Sequence, residues 1–296
     1  AGDIYDKSMP SSEAVTLFDD FIYKLSQRKL KTFVLSGNHD SAERIAFGAR
    51  LMDKSGVYMS PVYDGKVQPL VMEDEFGILT VSMLPFIKPV HVRKFFPNEE
   101  ISSYNDAFKV AIENIKIDKA ARNLLISHQF VTGALRSDSE DISVGGLDNV
   151  DASLLTDFDY VALGHLHRPQ SINREAVRYC GTPLKYSFSE ALDNKSVTVV
   201  EVREKGDVSV KTSTLVPKRD MRIIRGSYNE ITLKKNYENT NTGDYIGVIL
   251  TDECDIPDGI NKLRVIYPNI MKLEYDNART ETDSLITGAE NVKDKS

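Results

Sequence analysis

Three times in this chain a short apolar, β-prone run stops at a histidine. Thr32-Phe33-Val34-Leu35 leads into Ser36-Gly37-Asn38-His39-Asp40. Asn123-Leu124-Leu125-Ile126 leads into Ser127-His128, and Asp159-Tyr160-Val161-Ala162-Leu163 into Gly164-His165-Leu166-His167. These motifs hold four of the five histidines, so histidine is concentrated rather than scattered. An unbroken apolar run reads as a strand buried on both faces. In open α/β sheets ligands bind beyond the carboxyl ends of the strands, so the repetition points to one shared site.

The remaining pattern fits an α/β arrangement. Val15, Phe18, Ile22 and Leu25 recur at helical spacing behind a Ser11 or Ser12 cap, and a second helix is predicted over about 41–54. A hairpin is predicted over 70–72 and 78–84 around Glu75-Phe76-Gly77. Tyr104, Phe108, Ala111, Ile112 and Ile115 give another amphipathic helix, and a second hairpin turns at Glu204-Lys205-Gly206-Asp207. Beyond Pro217 an α+β segment is expected, with strands at 221–225, 245–250 and 271–275 and a helix over about 258–267. The chain thus divides into 1–216, 217–276 and a polar tail or linker over 277–296.

A length of 296 residues predicts two domains, or one large domain with an appendage, and 41% hydrophobic and 27% charged residues are ordinary for a globular protein. No apolar run approaches a membrane span, and no membrane partner is expected. Cys180 and Cys254 lack CxxC spacing and read as reduced, mostly buried thiols of a cytoplasmic protein. A net charge of −7 is not that of a broadly basic nucleic-acid binder; phosphates would have to be held by metals and a local basic stripe.

Asp, Asn and His form a ligand set for divalent ions that hold phosphate oxygens, so the motifs read as a phosphoester-cleaving metal site. The opening Gly2-Asp3-Ile4-Tyr5-Asp6 belongs with Gly37-Asn38-His39-Asp40. Glycine lets the backbone turn at a strand end, and a carboxylate such as Asp3 can bridge two ions. Asn38 offers a neutral oxygen. His165 and His167, at i and i+2 on a loop, can each take one metal of a pair, and His128 ends a similar strand. His39 points from its motif toward substrate as a proton donor, with Asp6 as its orienter. His91, beside Lys88, Arg93 and Lys94, and Arg136 are candidate substrate contacts. Taken singly, the residues leave ordinary readings open: a turn at Gly-Asp, a core His128, a turn carboxylate at Asp6, and solvated surface at His91 and Arg136.

In this order the motifs resemble the calcineurin-like metallophosphoesterase superfamily. Leu163-Gly164-His165-Leu166-His167, Gly181-Thr182-Pro183-Leu184-Lys185-Tyr186-Ser187, Asp244-Tyr245-Ile246-Gly247-Val248 and Leu263-Arg264-Val265-Ile266-Tyr267-Pro268 narrow the resemblance to the SbcD family of bacterial nuclease subunits. The resemblance implies a β-sandwich nuclease domain flanked by helices and followed by a small α+β capping domain that helps to hold DNA. It implies two divalent ions, Mn with Mg as second choice. Asp3 would bridge them, Asn38, His128 and His165 would bind one, and His167 the other. It further implies a cytoplasmic, nucleoid-associated homodimer working with an SbcC-type ATPase in DNA repair, recombination and replication. The implied activities are exonuclease at duplex ends and endonuclease at hairpins or single strands. A small-molecule phosphodiesterase on the same fold, or a non-catalytic docking subunit, are the competing readings. The family's Asp-x-His motif lies on an earlier strand and is not found after Ala1. The expectation is therefore of a fragment with weak or no activity by itself, stopping short of the helices that bind the SbcC coiled coil.

Overall fold

A computed structural model describes residues 1–140 and 148–278. These fall into two compact units: Ala1–Pro183 with Asn194–Leu215, and Leu184–Asp193 with Val216 onward.

In the first unit β1 (Thr32–Val34) and β2 (Val57–Met59) pair in parallel. β3 (Leu70–Asp74) and β4 (Gly77–Leu84) form a hairpin whose turn ends on Gly77 at φ +93°. β5 (Arg122–His128), β6 (Phe130–Val131), β7 (Asn149–Val150), β8 (Tyr160–Gly164), β9 (Gln170–Ile172) and β10 (Arg174–Tyr179) follow. The main sheet runs β3-β4-β5-β8-β10-β9. Its four inner strands are mutually parallel and its edge strands antiparallel. The register pairs Leu84 with Ser127, His128 with Gly164, and Leu163 with Tyr179, so four strands end on one rim.

The rim is fixed by what lies beneath it. Leu84, Leu125, Val161 and Leu163 are almost wholly buried, each contributing roughly 1.5–3 kcal/mol by leaving water. Thr80 and Asn123 are paired in the same layer: Thr80 Oγ1 donates to Asn123 Oδ1 at 2.7 Å, and Asn123 N donates to Asp159 at 2.7 Å. The Arg122 guanidinium is buried against Asp74 and the carbonyls of Gly77 and Val202. A separate cluster of Val34, Ile45, Val57 and Met59 packs with Phe18 of the helix Ser12–Gln27, which Ser11 caps. Phe86 N donates to Ser36 O, and Ser36 N to Ser60 Oγ, which links the loop after β1 to the loops after β4 and β2. The hairpin of β11 (Ser196–Val202) and β12 (Val208–Thr214) completes the unit.

The single helix expected over 41–54 is in fact two four-residue helices, Ala42–Ile45 and Ala49–Met52, followed by a 3-10 turn. Gly48 sits between them at φ +75°, where an α-helix cannot continue.

The second unit has β13 (Met221–Gly226), β14 (Tyr245–Leu250) and β15 (Ile270–Tyr275), all parallel. Helices Tyr228–Thr232, Lys234–Tyr237 and Gly259–Arg264 lie in the connections, as parallel crossovers require. Ile231, Ile246, Val248, Leu250, Leu263 and Tyr267 make its core. Phe188 stands so close to Gly247 that an added Cβ would lie 3.0 Å from its ring. Both cysteines are free, and Cys254 is exposed rather than buried, because it lies in the loop after β14. Of the polar tail over 277–296, all but Asn277 and Ala278 lie outside the described residues. No helix among the described residues is long and apolar enough to cross a membrane.

Candidate metal centre

Three glycines bring the strand-end loops into contact. A Cβ on Gly37 would lie 2.1 Å from Asp3 Oδ1, and one on Gly2 the same distance from His128 Nδ1. On Gly164 it would stand 1.5 Å from the carbonyl oxygen of Ala1. Only hydrogen fits at these points. His165 is held at φ +98°, a strained conformation for a residue with a Cβ and one that clusters at functional sites.

The result is a convergence of ligand atoms. Asp3, His128 and His165 present ligand atoms that all lie within 4.8 Å of one another. Asn38 Oδ1 lies between His128 Nε2 at 2.9 Å and His165 Nδ1 at 3.0 Å, and Asp3 Oδ2 is 3.1 Å from His128 Nε2. His128 Nδ1 also meets the Ala1 carbonyl at 2.7 Å. A neutral imidazole has one N–H. If Nδ1–H donates to Ala1 O, the lone pair of Nε2 faces two oxygen acceptors. A cation among these atoms would satisfy all of them at once, so the donor set fits a divalent ion of borderline hardness. Tautomer fixing by a backbone carbonyl is what metal-ligating histidines ordinarily have.

Electrostatics point the same way. Burial first, with His128 beside it acting in the same direction, pushes His165 down to about 3, so its ring is neutral at physiological pH. Burial tends to raise Asp3. Its contacts with His128 and with the backbone N–H of His39 outweigh it and hold the carboxylate below its ordinary range.

Asp40 shows the contrasting use of a carboxylate. It accepts from the backbone N–H groups of Ile4, Tyr5 and Gly37 at 3.0, 3.0 and 2.8 Å, and so ties the opening loop to the loop after β1. Sequence reasoning gave Asp40 no role; its place beside Gly37-Asn38-His39 was the only signal. Tyr179, fully buried, likewise pins the chain after His128, donating to Gln129 O and accepting from Val131 N. Glu140, also unassigned from sequence, accepts from the backbone of His167 and Ser137.

The remaining candidates fall at different places. His167 is outside the Asp3–His128–His165 group; its Nδ1 meets Ser139 Oγ at 2.7 Å, and its carbonyl accepts from Lys195 Nζ at 2.8 Å. His39 lies beside the cluster through its backbone bond to Asp3. Its Nδ1 is 3.0 Å from the main-chain oxygen of Asp6, so the bond expected from the Asp6 carboxylate is made by the carbonyl. His91 is exposed and caps its own helix through Lys88 N. Arg136 lies over the Phe130 ring at 3.6 Å and pairs with Asp148 at 2.8 Å. Instead of these two, Lys88 lines the cleft next to the cluster, with Asn38, Phe86, Tyr104, Phe130, Asp148 and His165.

The parallel inner strands of the sheet gather carboxylate, amide and imidazole groups at their carboxyl rim, the chemistry that holds divalent ions in phosphoester-cleaving enzymes. Over 277 residues the chain is 33% identical to the SbcD subunit of the nuclease SbcCD of Staphylococcus epidermidis, an alignment covering 92% of this chain and 73% of that protein. Residues 217–296 match the family SbcD_C, described as the type 5 capsule protein repressor C-terminal domain. The chain belongs to the SbcD family of nuclease subunits, which are hydrolases.

Proposed function

We propose that the chain cleaves DNA phosphodiesters as the nuclease subunit of an SbcCD-type complex, with Asp3, Asn38, His128 and His165 holding one divalent ion and His167 contributing to a second. The observation that carries this reading is the meeting of Asp3, Asn38, His128 and His165 side-chain atoms at one point. Mn is the preferred ion, with Mg as the alternative. When bound, the ions supply charge stabilisation at the phosphate and activate water.

The chain's own groups do the rest. Asp3 turns one oxygen to the cluster, while the other is fixed by the backbone of His39. His39 is anchored through Nδ1–H by the Asp6 carbonyl, so that in its imidazolium form Nε2–H can hand a proton to the departing oxygen and leave the ring neutral. Phe86 lies near-parallel to the His165 ring and edge-on to His128, shielding the ligands from water. Residues 1–216 form the nuclease domain, and 217–276 the capping domain that helps to hold DNA. The proposed assembly is a homodimer with an SbcC-type ATPase, cytoplasmic and nucleoid-associated. It acts on duplex ends, hairpins and single strands in repair, recombination and replication.

The test is Mn-dependent digestion of a labelled hairpin and a labelled duplex end by the full-length protein, with Mn binding followed by calorimetry. His39→Ala is expected to bind Mn like the wild type and to lose cleavage. His165→Ala is expected to lose both. Cleavage undiminished in His165→Ala sinks the reading.

A further inference from the structure

His167 lies between β8 and β9, where the chain belongs to no strand and its backbone groups have no ladder to join. Other parts of the first unit hold them instead. His167 N donates to the Glu140 carboxylate. Its carbonyl oxygen accepts from Thr182 N at 3.1 Å, from Thr182 Oγ1 at 3.4 Å and from Lys195 Nζ at 2.8 Å. Gly181, at φ +72°, allows this approach: a Cβ there would lie 2.7 Å from the same oxygen.

Lys195 is the unexpected member of that group. Lysine is almost never fully buried, because taking an ammonium out of water is costly unless other hydrogen bonds replace the lost ones. Here the residue is only 4% exposed, and Nζ donates to His167 O and, at 3.0 Å, to Thr182 Oγ1. Its main chain closes the base of the β11–β12 hairpin. Leu215 N donates to Lys195 O at 2.8 Å, one position beyond the Ser196–Thr214 pair. The stem is thus anchored before the ammonium reaches the loop. A carbonyl already bonded to an amide N–H needs no charged donor for its own satisfaction. What the second donor adds is a fixed place for the oxygen. With Nδ1 of the same residue 2.7 Å from Ser139 Oγ, main chain and ring are both held.

We propose that Lys195 is a positioning residue for the second ion, its buried ammonium holding the His167 main chain where the ring can serve as a ligand. The proposal rests on the reading of His167 as a ligand of that ion. It adds a residue 28 positions downstream that belongs to no histidine motif and offers no ligand atom itself.

The experiment titrates metal-free full-length protein with Mn by calorimetry. The sample at two equivalents is then read by electron paramagnetic resonance, in which ions about 3.5–4 Å apart couple and a lone ion does not. Lys195→Met keeps the stem and removes the charge and both hydrogen bonds; Thr182→Val removes the hydroxyl that shares the oxygen. Lys195→Met is expected to weaken the second Mn about 10- to 100-fold and to leave the site at Asp3, Asn38, His128 and His165 within about threefold of wild type. Thr182→Val should weaken the same ion by less, and the coupled signal should fade in both variants. Two unchanged affinities in Lys195→Met overturn the proposal. So do two that fall together, which is what damaged packing produces. Should Lys195→Met fail to fold, Thr182→Val decides in its place: an unchanged second affinity overturns the proposal, and a selective loss supports it. A wild type that takes up a single Mn sinks the two-ion reading, and this proposal with it.

Discussion

Parallel strands in two sheets of this molecule end in loops rich in Asp and Asn, and the two sheets use those side chains in opposite ways. At the carboxyl rim of β13–β15 three acids have each found a donor. Glu230 closes a capping box with Ser227, Asp252 accepts from Tyr228 N at 2.7 Å, and Asp276 pairs with Arg225 at 2.6 Å. At the rim of β5 and β8, one ring nitrogen of His128 is shared between the oxygens of Asp3 and Asn38, at 3.1 and 2.9 Å, with His165 against the same Asn38 oxygen. Parallel topology makes a rim available in both cases. A functional site arises only where the polar groups are left to be satisfied from outside.

The largest effect that would break this contrast is on catalysis. Replacing supporting residues around a metal typically costs 10- to 100-fold, so removing a direct ligand should exceed that. His165→Ala and Asp3→Ala are each expected to lower Mn-dependent cleavage by more than about a hundredfold in single-turnover assays. Activity within a few-fold of wild type in either variant would mean that the convergence is incidental.

Gly164→Ala tests how the convergence is built. The added Cβ would fall 1.5 Å from the Ala1 carbonyl, a backbone atom that cannot rotate away. The expected result is a loss of about 3 kcal/mol or more in chemical denaturation, with Mn affinity falling alongside. Asp40→Asn is the milder version. It weakens the acceptor for three backbone N–H groups and leaves every ligand in place, so Mn affinity should fall about 10- to 100-fold by calorimetry with little change in overall fold.

These variants also mark how far the sequence could be read. The strands at 123–128 and 160–164 and the hairpin at Gly77 were legible because apolar runs ended at glycine or at polar clusters. The convergence of His128 and His165 was legible because histidine is scarce and clustered. Asp40 was not, because its role depends on three N–H groups from two loops, and no spacing rule encodes that. The break at Gly48 was visible in principle, but a lone glycine in a helical pattern costs only about 1 kcal/mol and does not by itself predict an end. Lys88 and His91 look alike in a basic loop; only the helix Pro89–Arg93 decides that Lys88 lines the cleft while His91 caps its own turn.

Acid should expose the strained chemistry of the first rim. His165 is held at about 3, against about 6.5 for a free histidine. Between those values the unfolded chain binds a proton there and the folded chain does not, so stability falls as pH drops from 6.5 toward 3. The slope from this one group is at most about 1.4 kcal/mol per pH unit. Urea unfolding of chelator-treated protein at several pH values should therefore show a steeper acid loss in the wild type than in His165→Asn. Parallel curves would indicate that His165 is not buried as a neutral ring.

The smallest expected effect comes from the saturated rim, and it is the sharpest check on the comparison. Asp252 receives Tyr228 N, while its own carbonyl accepts from Asn277 Nδ2 at 2.9 Å, so the residue closes the end of its sheet and faces nothing unpaired. Removing it in Asp252→Ala should cost about 1–3 kcal/mol in the unfolding of that unit, the amount for a charge-assisted bond to a backbone N–H. Mn affinity, read by calorimetry, should stay at the wild-type value, because no group of the cluster depends on Asp252. Asp40 and Asp252 are the same residue type, each accepting from backbone N–H groups in a loop at a parallel rim. If both substitutions lowered Mn affinity alike, satisfaction of polar groups would no longer tell the working rim from the structural one. If only Asp40→Asn does, the difference lies in what each carboxylate steadies: a set of open acceptors in one unit, a closed sheet end in the other.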